Sequence, residues 1–555
     1  MYGAKIMNEY ETWLSSVTDP ELKKELLDYA GNKDGINDAF YKHLSFGTGG
    51  LRGKLGAGTN RMNVYTVKRA SMGLSKHLKK SQGKSIAIGY DTRLKSHDFA
   101  VASAEVFSNY GIDSYLFSAP LPTPLLSFAV RQLKCDLGVM ITASHNPSCY
   151  NGYKVYGSDG CQITDSVAKS ILEEINSSGY FENTVGKDKE QKGKVHIIDD
   201  KLYNDFLTEV SGRSVLFGEE CNKSLKIVYT PLNGTGYKPV TDILKLNGYK
   251  NVTEVKEQTV PDGNFPTCKY PNPELTEAYN LGIEYARRVE ADILIATDPD
   301  CDRVGTMVKH KDEYVHLSGN EVGLLLLDYV LSQRKKHARL CENAVCLKTI
   351  VTSPLAEKIA ESYGVKIKSL LTGFKYIGEE IGRLEVCGRK DDFVFGFEES
   401  CGYLGGDYVR DKDGVYGALI LSEMTAYYSG KGKSLIDKLE ELYRIHGYCE
   451  SKLISYTFEG QDGANKILSI MKNFRESLNA VANMSLLQKT DYSESVDGLP
   501  KSDVIKLALE GGHTVIVRPS GTEPKIKFYV FAYGENKKEA EMNLNKIIMA
   551  KELSY

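Results

Sequence analysis

Ile293-Leu294-Ile295-Ala296-Thr297-Asp298-Pro299-Asp300-Cys301-Asp302-Arg303 is an apolar strand that runs directly into an acidic loop. Two other stretches share this form. Residues 137–141 lead to Thr142-Ala143-Ser144-His145-Asn146-Pro147, and residues 393–395 lead to Gly396-Phe397-Glu398-Glu399-Ser400. Upstream of each lies the same succession: a β-rich run, a polar turn, a helical stretch and a glycine that opens the next strand. The first copy joins residues 86–89 to Asp91-Thr92-Arg93 and then Tyr110-Gly111-Ile112. The second joins residues 227–229 to Thr230-Pro231 and then Asn247-Gly248-Tyr249, and the third joins residues 345–347 to Lys348-Thr349 and then Tyr363-Gly364-Val365. Strands alternating with helices imply βαβ units and largely parallel sheets, and a threefold repeat implies three similar units. Ligands of such sheets bind beyond the carboxyl ends of the strands, so the three polar loops point to one shared cleft. From about Glu450 the pattern changes. Strand-like residues 452–458 and 514–517 alternate with helical residues 464–480 and 537–553, which reads as a fourth, α+β unit. The expected domains are therefore 1–210 with an N-terminal helical extension, 211–315, 316–449 and 450–555.

Bulk composition agrees with this division. A chain of 555 residues exceeds what one core supports. Hydrophobic residues make up 41% and charged residues 26%, as in ordinary globular proteins. The net charge of −3 and the absence of a basic stripe argue against a nucleic-acid partner. Eleven scattered cysteines with no C-x-x-C pair exclude a zinc ribbon and read as reduced, mostly core residues. The N-terminal stretch lacks an apolar signal core, and no apolar run is long enough to span a bilayer. No membrane association and no obligate protein partner are expected, and the expected location is the cytoplasm.

Several loops carry chemistry. Asp298, Asp300 and Asp302 alternate after a buried strand; in an extended loop they would face one way and converge on a hard cation. The plain alternative, a solvated acidic turn, leaves three carboxylates repelling one another at one strand end. An EF-hand would need glycine and an acid where Arg303 and Lys309 stand. Ser144 is the candidate nucleophile. A lone serine after a strand is usually a cap or turn residue, but His145 and Asn146 add polar groups, Pro147 stiffens the turn, and His145 and the returning Lys154 of Asn151-Gly152-Tyr153-Lys154, with a bound cation, can supply the activation and positive charge that phosphoryl transfer needs. Phe46-Gly47-Thr48-Gly49-Gly50-Leu51-Arg52-Gly53 is a possible backbone nest with one guanidinium. Neither Gly-Lys-Ser string belongs to a Walker A loop, because Leu78 and Tyr427 replace the required glycines. Arg518-Pro519-Ser520-Gly521-Thr522 gathers donors for a dianionic phosphate. Glu398 and Ser400, two residues apart, can bridge adjacent sugar hydroxyls. Arg410-Asp411-Lys412-Asp413-Gly414 looks like a solvated turn from which Lys412 can face the cleft.

Taken in this order, the loops 142–147 with 151–154, 298–303, 398–400 and 518–524 resemble the α-D-phosphohexomutase superfamily over most of the chain, from about Phe46 to Tyr529. The resemblance implies four domains around a central cleft, the first three alike with mixed, largely parallel sheets. It implies that Ser144 carries the phosphoryl group and contacts the metal, and that Asp298, Asp300 and Asp302 bind Mg2+. Arg52 and Lys154 match basic residues that assist proton transfer, and His145 matches the histidine after the phosphoserine. Arg303 matches the arginine that closes the metal loop. Glu398 and Ser400 match the sugar-binding loop, and Arg518, Ser520, Gly521 and Thr522 the distal phosphate site. Cys401-Gly402 stands where bifunctional members have Gly-His, so Lys412 is expected to take over that histidine's task. Residues 372–378, with Lys375 expected on the substrate, look like the branch that holds bacterial α-phosphoglucomutases and eukaryotic phosphopentomutases. The expected reaction interconverts glucose 1-phosphate and glucose 6-phosphate through glucose 1,6-bisphosphate. Mannose or pentose phosphates are the alternatives within the superfamily. A metal-dependent sugar phosphatase and a non-catalytic sugar-phosphate sensor are the alternatives outside it.

Overall fold

The computed structural model describes residues 2–47, 49–182, 192–458, 460–520 and 525–555. The first sheet holds β1 (Phe46–Gly47), β2 (Gly50–Lys54), β3 (Ser85–Tyr90), β4 (Asp113–Phe117), β5 (Leu137–Ile141), β6 (Tyr150–Gly157) and β7 (Val195–Ile198) in the order β1-β2-β6-β5-β3-β4-β7. The second holds β8 (Ile227–Thr230), β9 (Val252–Glu254), β10 (Ile293–Thr297), β11 (Val304–His310) and β12 (Glu313–Leu317) in the order β12-β11-β10-β8-β9. The third holds β13 (Val345–Thr349), β14 (Lys366–Leu370), β15 (Phe393–Glu398) and β16 (Gly402–Leu404) in the order β14-β13-β15-β16.

One four-strand pattern recurs in all three. β4-β3-β5-β6, β9-β8-β10-β11 and β14-β13-β15-β16 each contain three parallel strands followed by an antiparallel one. In every copy the polar loop noted in the sequence leaves the carboxyl end of the third strand. These central strands are buried on both faces, which is why they read as continuous apolar runs. Successive side chains enter different cores. Ile227 and Tyr229 face a large cluster that also holds Ile293 and Ile295, while Val228, Leu294 and Ala296 face a second cluster.

The fourth sheet is antiparallel throughout: β17 (Tyr448–Thr457), β18 (Ala480–Val481), β19 (Met484–Asp491), β20 (Ile505–Leu509), β21 (Thr514–Pro519) and β22 (Lys525–Gly534), in the order β17-β22-β21-β20-β19-β18. Helices Gly460–Glu476 and Lys537–Ile548 accompany it. The expected helix to residue 480 is therefore shorter, because Ala480 already begins a strand. At the other end of the chain, α1 (Tyr2–Ser16), α2 (Pro20–Asp28) and α3 (Lys33–Phe40) gather around Trp13, which is fully buried edge-on to Phe40, Tyr65 and Tyr180. Asp19 caps α2 and Pro20 opens it. Glu25 accepts from Ala57 N at 3.0 Å, so these helices brace the segment just after β2. All eleven cysteines are free and most are buried.

Candidate active site

Asp298, Asp300 and Asp302 are fully buried, and each offers an oxygen within 4.8 Å of the others. They converge by a route other than the extended loop expected from their alternation. The segment is a tight turn: Cys301 N donates to Asp298 O at 2.9 Å, and Asp302 N and Arg303 N donate to Asp298 Oδ1 at 3.2 and 3.0 Å. Cys301 adopts the left-handed conformation, φ 49°. Two lysines offset the charge. Lys154 Nζ lies 3.0 Å from Asp300 Oδ2 and 3.5 Å from Asp302 Oδ2, and Lys412 Nζ lies 3.1 Å from Asp302 Oδ2. Thr123 Oγ1 donates to Asp300 Oδ2 at 2.9 Å. Burial pushes Asp298 well above the usual carboxylate range, and Asp300 and Asp302 add to it. Burial also pushes Asp300 upward, but Lys154 overrides this and holds it below that range. Among the described residues, Asp300 Oδ1 and Asp302 Oδ1 are buried without a hydrogen-bond partner. Buried carboxylate oxygens left this way fit a hard divalent cation.

Ser144 follows β5 and is buried, with φ 51°. Its Oγ donates to Asp298 Oδ2 at 2.6 Å and lies 3.2 Å from His145 Nδ1. The hydroxyl thus sits on the three-aspartate loop of the next unit. His145 is partly buried; burial first, then the charges of Arg303 and Arg52, hold its imidazole well below the usual range and so neutral. Arg52 is exposed on β2, directly opposite Gly152 of β6, two residues before Lys154. Thr48 of the glycine-rich segment lies outside the described residues.

The third unit closes the other side. Glu398 ends β15, buried, with Oε1 3.7 Å from Lys412 Nζ. Ser400 follows in the same loop, partly buried. Glu399 is turned inward, accepting from Thr349 Oγ1 at 2.9 Å and Thr352 Oγ1 at 3.2 Å. The expectation of a solvated turn at 410–414 fails: Arg410, Asp411 and Asp413 are buried. Asp413 caps helix Gly414–Ser429 and accepts from Tyr408 Oη, while Asp411 accepts from Tyr156 Oη at 2.9 Å and lies 3.6 Å from Lys412 Nζ. A polar run looks like surface in sequence; here each acid has a buried donor. Lys375 is buried with Nζ 2.8 Å from Asp165 of the first unit. Arg303 pairs with Glu274.

Arg518 lies on β21, partly buried, and Ser520 N donates to Lys525 O at 2.8 Å. Gly521 and Thr522 lie outside the described residues. Lys527, absent from the residues expected at the site, faces Arg518 directly across the β21–β22 pair. Burial lowers its ammonium; Glu274 and Glu399 pull it up, while Arg518 and Arg303 add to the lowering. Like charges opposite one another are unfavourable, so this pair suits an anion between them. The signal was present as Lys525-Ile526-Lys527 after the loop, but only the strand register places the second lysine. The fourth unit therefore reaches charges of the second and third units, Glu274, Arg303 and Glu399.

Profiles of the phosphoglucomutase/phosphomannomutase α/β/α domains I, II and III match residues 43–181, 201–311 and 318–445. The phosphoglucomutase of Staphylococcus epidermidis is 37% identical over 537 residues, covering 93% of this chain and 95% of its own. The phosphoglucomutase of Staphylococcus aureus is 34% identical over 569 residues, covering 99% and 100%. Among solved structures, the open form of the exocytosis-sensitive phosphoprotein parafusin, a phosphoglucomutase from Paramecium, superposes with a TM-score of 0.68 at 18% identity, over 92% of this chain and 94% of its own. Fold, loop order and these likenesses agree: the chain belongs to the phosphoglucomutase/phosphomannomutase family, the α-D-phosphohexomutases, and is a mutase.

Proposed function

We propose that the chain is a phosphoglucomutase that interconverts α-D-glucose 1-phosphate and glucose 6-phosphate through a phosphoserine at Ser144. The relatives named above support the sugar. The observation that carries the mechanism is the 2.6 Å contact between Ser144 Oγ and Asp298 Oδ2, which sets the candidate nucleophile on the three-carboxylate loop. Asp298, Asp300, Asp302 and Ser144 would hold Mg2+. Bound there, it would neutralise charge on the transferring phosphoryl group.

Phosphorylated Ser144 gives its phosphoryl group to the free hydroxyl of a sugar phosphate; the Ser144 O–P bond breaks as the sugar O–P bond forms. Glucose 1,6-bisphosphate then turns within the cleft, and its other phosphate returns to Ser144. Lys154, kept protonated once Asp300 and Asp302 outweigh its burial, is suited to donate to Ser144 Oγ. Neutral His145 is suited to accept a proton, and exposed Arg52 to hold the transferring group. Glu398, Ser400 and Lys412 grip sugar hydroxyls, with Lys412 in the place of the missing histidine. Arg303 and Lys375 complete the substrate wall. Arg518, Ser520, Gly521 and Thr522 form the distal cradle. The boundaries at 210, 315 and 449 and a cytoplasmic location belong to the same proposal; among the described residues no helix is long and apolar enough to cross a membrane.

A coupled assay with glucose 1-phosphate, mannose 1-phosphate and ribose 1-phosphate, each primed with its bisphosphate, tests the reading. Isomerisation of the glucose ester at the highest kcat/KM is expected. Preference for another sugar, or net release of inorganic phosphate, would overturn it.

A further inference from the structure

Arg93 is not itself one of the groups proposed to face the substrate, and its guanidinium is directed at the backbone of the Ser144 loop and at Asp91. Nη1 donates to Pro147 O at 2.9 Å and Tyr150 O at 3.1 Å. Nη2 donates to Ser144 O and Asn146 O, and Nε lies 3.4 Å from Asp91 Oδ2. The four Nη hydrogens, fixed in one plane, meet these four carbonyls, while Nε faces the carboxylate without a hydrogen bond among the described residues; the three donors of a lysine, on one nitrogen, cannot reproduce this. The acid is equally committed. Asp91 Oδ1 accepts from Arg93 N at 3.0 Å and Ser96 Oγ at 2.7 Å, and Oδ2 accepts from Thr142 Oγ1 at 2.5 Å. Thr142 Oγ1 in turn accepts from Ser144 N at 2.8 Å. Both backbone groups of Ser144 are therefore tied to one buried ion pair: the carbonyl to Arg93, the amide through Thr142 to Asp91. This matters because Ser144 holds φ 51°, a region that side chains with a Cβ seldom occupy unless their surroundings impose it.

The same turn is keyed into the unit that carries the metal loop. Phe265 lies with its ring centroid 5.0 Å from the Arg93 guanidinium carbon. At Gly263 a Cβ would come within 2.3 Å of Leu94 N and 2.7 Å of the Arg93 carbonyl carbon, so only glycine permits the approach. Thr92 Oγ1 donates to Asn233 O at 2.9 Å. We infer that Arg93, held by Asp91 and covered by Phe265, is the positioning residue that fixes Ser144 in its left-handed conformation and sets its hydroxyl against the metal loop. The inference rests on Ser144 as the phosphoryl carrier.

The test measures kcat and KM for glucose 1-phosphate at saturating Mg2+ and glucose 1,6-bisphosphate. Wild type, Arg93→Lys, Phe265→Leu and Ser144→Ala are compared. For the serine-bearing enzymes, kcat is expressed per Ser144 that accepts phosphate from the bisphosphate, counted by intact mass, so misfolded enzyme does not enter. Arg93→Lys keeps the charge but has three donors on a point rather than five in a plane. Its kcat is expected to fall about a hundredfold, the order of loss that an ångström of misplacement causes, with KM within about threefold of wild type. Phe265→Leu is expected to lose roughly three- to tenfold in kcat. Unchanged kcat per site in Arg93→Lys overturns the inference, as does a loss confined to KM. If Arg93→Lys does not fold, unchanged kcat in Phe265→Leu does so instead. An active Ser144→Ala removes the carrier reading and this inference with it, whereas an inactive Ser144→Ala beside wild-type kcat in Arg93→Lys removes this inference alone.

Discussion

Asp300 divides its two oxygens between the protein and the space in front of the loop. Oδ2 accepts from Thr123 and Lys154, while Oδ1 is buried with no hydrogen-bond partner among the described residues. Asp300→Asn keeps the shape and removes the charge. The Mg2+ concentration for half-maximal activity should rise at least about tenfold. The Mg2+-dependent rise in Tm should shrink as well, because that rise follows ligand affinity for the native state. A Mg2+ titration read by both activity and thermal melting checks this, and an unchanged midpoint would reduce the loop to an acidic turn. The three aspartates, Ser144, Lys154 and Glu398 were legible because residue type and position after an apolar strand are local signals. Arg93 was not: its partners are carbonyls some fifty residues later, at Ser144 and Tyr150, and backbone acceptors leave no mark in a sequence. Asp411 and Asp413 were misread for the related reason that Tyr156, the donor to Asp411, lies in the first unit, and Tyr408, the donor to Asp413, packs against Phe206 some two hundred residues earlier.

Gly152 in β6 stands between the strand of Arg52 and the loop of Ser144. A Cβ there would lie 2.4 Å from Thr142 O and 2.9 Å from Leu51 O, both backbone atoms that cannot rotate aside. Gly152→Ala should cost about 1–3 kcal/mol of stability, as overpacked sites do. It should also lower kcat at least about tenfold by parting Arg52 from Ser144. Gly382→Ala, inside helix Phe374–Val386 with a Cβ that would meet only Asp159 Oδ2 at 3.8 Å, is the control and should leave kcat unchanged while adding up to about 1 kcal/mol of stability. Calorimetry and steady-state kinetics on the two variants decide it; wild-type kinetics in Gly152→Ala would mean that the β2–β6–β5 register does not set the site. At this scale the strands were legible because β5, β10 and β15 are apolar on both faces. The shape of the loop after β10 was not. Alternating aspartates suggest extended backbone, but Asp298 Oδ1 draws the amides of Asp302 and Arg303 back into a turn.

The four sheets form one framework around the site. A single large apolar cluster includes Ile227 and Ile295 of the second sheet, Leu347 and Phe395 of the third, and Ile516, Tyr529 and Phe531 of the fourth. Their neighbours Val515, Val517, Phe528 and Val530 face the separate core of the fourth unit. The threefold repeat was legible in sequence; the joining of units was not, since contacts between distant strands leave no local period. This framework has a consequence for Arg518. If its cradle holds the phosphate that is not reacting, it must do so in both orientations of the bisphosphate. Arg518→Ala should then lower kcat/KM for glucose 1-phosphate and for glucose 6-phosphate alike, each by roughly ten- to a hundredfold, the value of a charged hydrogen bond. Rates in both directions check this, and a loss in one direction alone would remove the shared cradle. The measurement closest to the central claim is the intact mass of the protein after exposure to glucose 1,6-bisphosphate and then to glucose 1-phosphate. Wild type should gain the mass of one phosphoryl group, located on Ser144 by peptide mapping; when that group carries heavy oxygen, the label should pass to the sugar in the second step while Ser144 takes up unlabelled phosphate in return, and Ser144→Ala gains none and does not turn over. Turnover by Ser144→Ala, or a transferable phosphate on another residue, would contradict the account.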